Sequence, residues 1–379
     1  MRRCLNIDPA YPEDIEFSVA NTPKEIEAAC KILYEAYTDS GFMVADGSGY
    51  RFTVYHALPY CYTLIAKQAG EVIATATMIV RSVDKLPIEK VFPITPYLGF
   101  GRRIVEVSGL TVHPTARSNR GPLLFPLFKY AYKLATRQLG ATDFVVTTNP
   151  NHLNFYRAII LYEKISDKVC YDYIDGVPTL GARLNLTTLP QRYEDVYGNL
   201  PPNKNISQYF VKSEFPQFGL PDQPDKVYLG NRWAPDQLAW MLEDLAIGLS
   251  KLSDDEMAML RAAYGPEYNS VFARFAPQLS RTDAKERIDL NIDATLCNDG
   301  SQAKAHILAI AGNELHLSVE TDPKPRLAAA QLNFTSDLCS LSLPVSYQRS
   351  TGHDEYIFHV DPTQFHAAFS SGHNYPSKG

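Results

Sequence analysis

The chain has 379 residues, enough for two domains with separate cores, and 45% of them are apolar, the ordinary content of a globular protein. Its formal net charge of −6 argues against a general nucleic-acid binder, and its six scattered cysteines (Cys4, Cys30, Cys61, Cys170, Cys297, Cys339) argue against a disulfide framework or a zinc module. No run reaches the apolar length that spans a bilayer, and Met1-Arg2-Arg3-Cys4 leads into acidic and polar residues, so a cytoplasmic chain is expected.

Thr22-Pro23-Lys24-Glu25 sets a cap residue, a proline at the first helical position and an early acid ahead of Ile26, Ala29, Ile32, Leu33 and Ala36. That pattern predicts a helix ending near Ser40-Gly41. Residues 61–67 and 72–80 read as a hairpin around Gln68-Ala69-Gly70-Glu71, and Pro87, Pro93 and Pro96 mark the loop after it. Residues 104–112 read as a buried strand, followed by a turn at Pro114 and a basic loop. The helical spacing of Leu124, Leu127, Phe128, Ala131, Leu134 and Ala135 predicts a helix over 122–139, which begins late or kinks because Pro126 cannot donate a backbone hydrogen bond. A strand at 144–148, a turn at Asn149-Pro150-Asn151, a short helix at 152–160 and strands at 168–174 and 180–186 follow.

Residues 188–230 are rich in proline, asparagine and aromatics and read as an ordered connector, with helices opened by Pro235 and by the capping pattern Ser253-Asp254-Asp255-Glu256. The period then switches to two: Ile288, Leu290, Ile292, Ala294 and Leu296 alternate with polar residues, as do Leu315, Leu317 and Val319. With residues 341–345 and 356–360 these predict a small antiparallel barrel or sandwich. The expected division is 1–187, 188–268 and 269–379.

Chemistry concentrates at residues 104–121. Glu106 stands inside an apolar strand, where an ionised carboxylate is costly without a partner or a task. A strand, a basic loop and a helix N-terminus in that order form a seat for a phosphate, because the first helical N–H groups lack intrahelical partners.

Helix, hairpin, strand, basic loop, helix, strand, helix, strand is the element order of the GNAT acyltransferases. The runs A-K-Q-A-G-E-V-I-A-T-A-T-M-I-V (66–80), L-P-I-E-K-V-F-P (86–93), E-V-S-G-L-T-V-H-P-T-A-R (106–117) and N-P-N-H-L-N-F-Y-R (149–157) resemble the FeeM-like N-acyl amino acid synthases, relatives of the acyl-homoserine-lactone synthases. The resemblance covers roughly residues 16–187. It implies an α+β fold with a GNAT-like mixed sheet flanked by helices. The implied enzyme moves a fatty acyl group from acyl carrier protein or coenzyme A to the α-amino group of an amino acid. No permanent cofactor and no metal are implied, only an acyl donor on phosphopantetheine.

In that frame Glu106 is the base that takes a proton from the incoming ammonium, or else a structural carboxylate paired with Arg102 or Arg103. Tyr156 is the proton donor to the departing thiolate, or core packing; His152 is an alternative base, or a helix cap. Arg51, in Gly49-Tyr50-Arg51-Phe52-Thr53, is the candidate to hold the acceptor carboxylate, or an exposed loop arginine. Arg117, Asn119, Arg120 and Gly121 overlie the R-x-x-G-x-G/A phosphate cradle, but Arg120 replaces its first glycine and Pro122 removes a backbone donor. Such a loop suits the single phosphate of a carrier protein's phosphopantetheine better than a diphosphate. Lys129, Lys133 and Arg137, four residues apart with no acid between them, read as a basic stripe that docks an acidic carrier protein or is merely solvated. Relatives usually carry arginine where Gly109 stands.

The C-terminal strands resemble a PilZ domain. Arg281 and Arg287 remain in R-T-D-A-K-E-R, whereas the turn at residues 309–314 has lost the pattern that such domains use, so cyclic di-GMP binding is not expected. A small-acyl (acetyl-coenzyme A) GNAT, or a silent GNAT fold that binds a lipid or partner, are the alternative readings. Peripheral membrane contact would come only through a lipid product.

Overall fold

The computed structural model describes residues 5–10, 12–82, 85–99, 101–113, 116, 123–165, 169–171, 177–220, 232–245, 253–274, 287–298, 301–311, 314–320, 330–335, 340–352 and 355–360. One mixed sheet carries the first part of the chain: β1 (Ile15–Val19), β2 (Cys61–Gln68), β3 (Glu71–Val80), β4 (Ile104–Val112), β5 (Asp143–Thr148), β6 (Glu163–Lys164), β7 (Val169–Tyr171) and β8 (Val177–Asn185). The strand order is β1-β2-β3-β4-β5-β8-β6, with β7 also on β8, and all neighbours are antiparallel except β4 and β5. The β2–β3 turn is a two-residue loop in which Ala69 and Gly70 both have positive φ (51° and 85°), the hairpin geometry whose twist matches the flanking strands. β1 was not legible in the sequence, because five residues with Ile15 and Phe17 inward give too short an alternation.

Helix α1 (Pro23–Asp39) is capped as its sequence predicts: Thr22 Oγ1 accepts from Glu25 N–H (3.3 Å), and Glu25 Oε2 accepts from Asn21 N–H (3.0 Å). Its buried face, including Ile26, Ala29, Cys30 and Leu33, lies on β3 and β4. A single turn, α2 (Val54–Ala57), follows. Helix α3 (Leu124–Arg137) begins late, which places Pro126 in its first turn, where a missing N–H costs nothing. Helix α4 (Pro150–Phe155) starts two residues before the expected His152, with Asn149 as its cap (Oδ1 to Asn151 N–H, 2.9 Å), and widens into a π-helical turn at Tyr156–Ile160.

The expected connector packs into the same core as the sheet. Helix α5 (Leu189–Tyr197) and the turn Ser207–Lys212 bury Tyr193, Tyr197, Tyr209 and Phe210. The tyrosine hydroxyls find backbone carbonyls: Tyr193 donates to Ile160 O (3.1 Å), Tyr197 to Ile159 O (2.8 Å), and Tyr130 of α3 to Gly219 O (2.7 Å). Helices α6 (Pro235–Trp240), α7 (Asp254–Tyr264) and α8 (Asn269–Ala273) extend this core, and Tyr264 donates to Ala57 O of α2.

This packing corrects the expected basic stripe. Lys129 is fully buried: its Nζ donates to Ser213 Oγ (2.7 Å) and lies 3.4 Å from the ring centre of Phe215. Lys133 is 4% exposed and donates to Val211 O (3.3 Å) and Glu214 Oε1 (2.9 Å), and Arg137 also binds Glu214 (2.6 Å). No acid interrupts the stripe within α3, yet Glu214 arrives from the connector and covers it. Of the docking surface expected at Lys129, Lys133 and Arg137, the two lysines are therefore buried in an intramolecular seam, and Arg137 stays half exposed beside Glu214.

A second, separate core belongs to a closed barrel of order β10-β11-β14-β13-β12-β9. Its strands are β9 (Arg287–Asn298), β10 (Ser301–Ala311), β11 (Glu314–Val319), β12 (Ala330–Thr335), β13 (Ser340–Gly352) and β14 (Glu355–Val360). Leu296, Ile307, Leu315, Leu317, Leu332 and Phe358 fill it, the alternation that the sequence displays. Arg281 lies outside the described residues, as do positions 312 and 313 of the altered turn.

Burial, with Lys133 adjacent, pushes the Lys129 ammonium down to about 7. Between about pH 7 and pH 9 the unfolded chain keeps this proton while the folded chain releases it, so folded-state stability contributed here rises with pH. Wild type should gain about 2 kcal/mol relative to Lys129→Met across that interval, measured by urea unfolding, and a flat difference would contradict the buried placement.

Candidate active site

The site is made by two strands that part. β4 and β5 pair in parallel only over Ile104–Glu106 and Asp143–Val145. Beyond that point Val107 to Val112 and Val146 to Thr148 line the two sides of a cleft of about 530 Å³. The closed end of the wedge is pinned by Asp143, fully buried, whose Oδ1 accepts from Arg102 Nη2 (2.9 Å) and Arg183 Nε (2.7 Å). Two guanidiniums on one carboxylate meet the condition under which a buried charge is tolerated.

The open side is shaped by a bulge. Thr75 pairs with Thr111 and Thr77 with Ser108, so β4 spends one residue more than β3 between these pairs. Gly109 sits in the bulge with φ +60°, and a Cβ there would come 3.0 Å from Leu33 Cδ2. Glycine is thus the residue this backbone requires, which gives a physical reason for the missing arginine.

Glu106 closes the floor of the cleft. It is 2% exposed, and its Oε2 accepts from Ile88 N–H (2.8 Å) in the 3₁₀ turn Pro87–Lys90. Of the two arginines in the alternative reading, Arg102 goes to Asp143 instead of Glu106. Burial, with Glu89 adding its negative charge, pushes the Glu106 carboxyl up to about 8.

Tyr156 and His152 line the opposite wall. Tyr156 packs edge-on against Phe155 and Tyr162 (5.8 and 5.5 Å between centres), and burial pushes its hydroxyl up to about 12. His152 does not cap its helix, because Asn149 does. Arg51 also lines the cleft, its guanidinium 4.2 Å from the ring centre of Tyr37 and its N–H bonded to Cys30 O (3.0 Å). The structure therefore brings Arg51, Glu106, His152 and Tyr156 to one cavity, although more than 100 residues separate the first from the last. Arg117, Asn119, Arg120 and Gly121 lie outside the described residues.

Three lining groups escaped the sequence. His56 is buried on α2; its Nδ1 accepts from Thr53 N–H (3.1 Å), which leaves Nε2 protonated, 3.5 Å from Thr77 Oγ1. Burial, with Arg51 nearby, lowers its pKa to about 4, so the ring is a neutral donor. Thr53-x-x-His56 is a capping-box spacing with histidine in the usual acid's place, a signal that was present but is weak. Tyr162, 3% exposed, and Thr147 have buried hydroxyls with no hydrogen-bond partner among the described residues. Both line the cleft, where a ligand could satisfy them.

The mixed sheet, parted between β4 and β5, has a GNAT-like fold. Residues 28–185 match the family model described as N-acyl amino acid synthase FeeM, and an N-acyltransferase is the class of enzyme this part of the chain represents. Among solved structures, FeeM from uncultured soil microbes, an N-acyl amino acid synthase, is similar at 17% identity over 47% of this chain and 93% of that one (TM-score 0.42). The acyl-homoserine-lactone synthase LasI is similar at 13% identity over 45% and 90% (TM-score 0.37), and the coenzyme A-dependent synthase BjaI at 14% over 47% and 88% (TM-score 0.35). A comparison with curated proteins gives no match. Among the described residues no helix is long and apolar enough to cross a membrane.

Two substitutions check this geometry. Gly109→Ala should cost about 1–2 kcal/mol in chemical unfolding, because a side chain must enter a left-handed conformation against Leu33. For Glu106 the folded pKa lies above the unfolded one, so its contribution is present at low pH and lost as pH rises through about 8. Glu106→Gln should therefore gain about 2–4 kcal/mol relative to wild type between about pH 5 and pH 8, and equal pH dependence of the two proteins would contradict the burial of an unpaired carboxyl.

Proposed function

We propose that the cleft joins a fatty acyl group, delivered as a phosphopantetheine thioester, to the α-amino group of an amino acid. The observation that carries this reading is Glu106, buried with no cationic partner among the described residues and lining a cleft between two parting strands. The parted edges of β4 and β5 offer backbone groups to the amides of a pantetheine arm, as a sheet edge does to an added strand. Glu106, with its pKa close to working pH, takes a proton from the ammonium, and the amine attacks the thioester carbonyl. The C–S bond then breaks, and the proton that the nitrogen sheds as it becomes an amide goes to the departing thiolate. A tyrosine hydroxyl at about 12 is a weaker acid than an ordinary thiol, so Tyr156 acts as a hydrogen-bond donor that stabilises the leaving thiolate. Arg51, steadied by Tyr37, binds the acceptor carboxylate.

Chain length follows from the walls. Leu33, Leu110, Val112, Leu124, Phe128 and Val146 supply apolar lining, and about 530 Å³ suits a larger ligand than an acetyl group. This favours a long acyl chain over acetyl-coenzyme A. With Lys129, Lys133 and Arg137 engaged by the connector, the donor class is the thioester arm shared by carrier protein and coenzyme A.

The test is mass spectrometry of lipids from cells that express wild type or Glu106→Gln. Wild type should accumulate an N-acyl amino acid, and the variant at least about a hundredfold less. No new lipid with wild type rejects the synthase reading, and equal yields reject Glu106 as the base. With the product known, Arg51→Lys should raise KM for the amino acid about tenfold and leave that for the donor unchanged, because an ammonium cannot reproduce the two-pronged contact.

A further inference from the structure

Among the described residues Glu106 accepts one hydrogen bond, from Ile88 N–H, and the turn that presents this donor is itself held in place. Glu89, one residue on, folds back so that its Oε1 accepts from Leu86 N–H (2.9 Å). The same carboxylate is gripped from the end of β3 by Arg81, through Nε to Oε1 (2.9 Å) and Nη2 to Oε2 (3.4 Å). Arg81 in turn is anchored to the sheet by its N–H on Ile104 O (2.9 Å), two residues before Glu106. The remaining face of the guanidinium is taken by Glu355, the first residue of β14 in the barrel. All three side chains are 15% exposed or less, so solvent screens them weakly.

We propose that Arg81 is a positioning residue for Glu106, acting through Glu89 and the Pro87–Lys90 turn, and that Glu355 makes the barrel part of the same support. This rests on Glu106 being the base. A fork of five donors can serve two carboxylates at once, which a lysine could not do in fixed geometry. The arrangement also places charge, since the guanidinium of Arg81 is shared between two acids. Glu89 is the part of it that opposes ionisation of Glu106. The other titratable or charged groups facing the cleft are Tyr37 on α1, Arg51, Tyr55 and His56 at α2, and His152, Tyr156 and Tyr162 around α4.

The two ends of the strut have opposite electrostatic consequences, which separates positioning from general loosening. Arg81→Gln leaves Glu89 uncompensated and the turn unheld. Glu355→Gln removes the competing acid and leaves the guanidinium wholly to Glu89. The experiment uses the full chain, with the Glu106 carboxyl titrated by infrared difference against Glu106→Gln and exchange of the Ile88 amide followed by hydrogen–deuterium exchange. Arg81→Gln should raise the Glu106 midpoint by about half a unit or more and speed Ile88 exchange about tenfold; Glu355→Gln should lower the midpoint. With acyl donor and amino acid supplied, Arg81→Gln should lower kcat about tenfold and leave the amino-acid KM within about twofold. Unchanged midpoints and exchange, or midpoints that move in the same direction in both variants, overturn the proposal. If Arg81→Gln does not fold, the direction of the Glu355→Gln shift decides alone. Absence of acyl transfer by wild type rejects the synthase reading, whereas the infrared and exchange measurements still judge the strut.

Discussion

The parting of β4 from β5 after the Glu106–Val145 pair is the constraint on which the rest of this structure depends. Two parallel strands that stop exchanging hydrogen bonds leave polar backbone on both edges, and such groups are tolerated only where water or a ligand can reach them. The molecule holds the closed end shut and keeps the open end open. Asp143 with Arg102 and Arg183 ties β4, β5 and β8 together at one end. At the other, the bulge at Gly109 turns β4 so that its last residues face a cavity.

Two buried carboxylates at the wedge therefore have different fates. Asp143 has two guanidiniums and serves as structure. Glu106, in the last pair of the same ladder, has among the described residues one backbone donor and an acidic neighbour, and burial raises its pKa. The distinction between a pin and a base lies in the partners each group finds, and both glycine at position 109 and the turn at Pro87–Lys90 serve the second outcome.

Much of this was legible in the chain. The cap at Thr22, the positive-φ turn at Ala69-Gly70 and the period-two strands of the barrel are signals carried by residues within a few positions of one another, and each appears in the fold as its pattern implies. Glu106 was conspicuous because a charge in an apolar strand is costly wherever the strand packs. His56, Tyr162 and Thr147 were not, since a histidine, a tyrosine or a threonine in an apolar stretch has ordinary structural uses, and only the cleft distinguishes them. Lys129 was misread for a related reason: its surroundings in sequence are its own helix, whereas its surroundings in space are Ser213, Glu214 and Phe215, about eighty residues later.

The sequence by itself determined most of the elements and the second, barrel-forming segment, because helix and strand periods, caps and turn residues act over distances shorter than one element; the mixed first sheet was implied by the family resemblance. It also singled out Glu106 and the family pattern around it. Tertiary structure alone decided which charges are paired, that Lys129 and Lys133 face the connector, that Arg51, His56 and Tyr156 share a cavity with Glu106, and that Arg81 joins Glu89 to Glu355 of the barrel. Those outcomes depend on contacts between residues tens to hundreds of positions apart, and the free energy of a buried charge is set by its neighbours in space, whatever their distance along the chain.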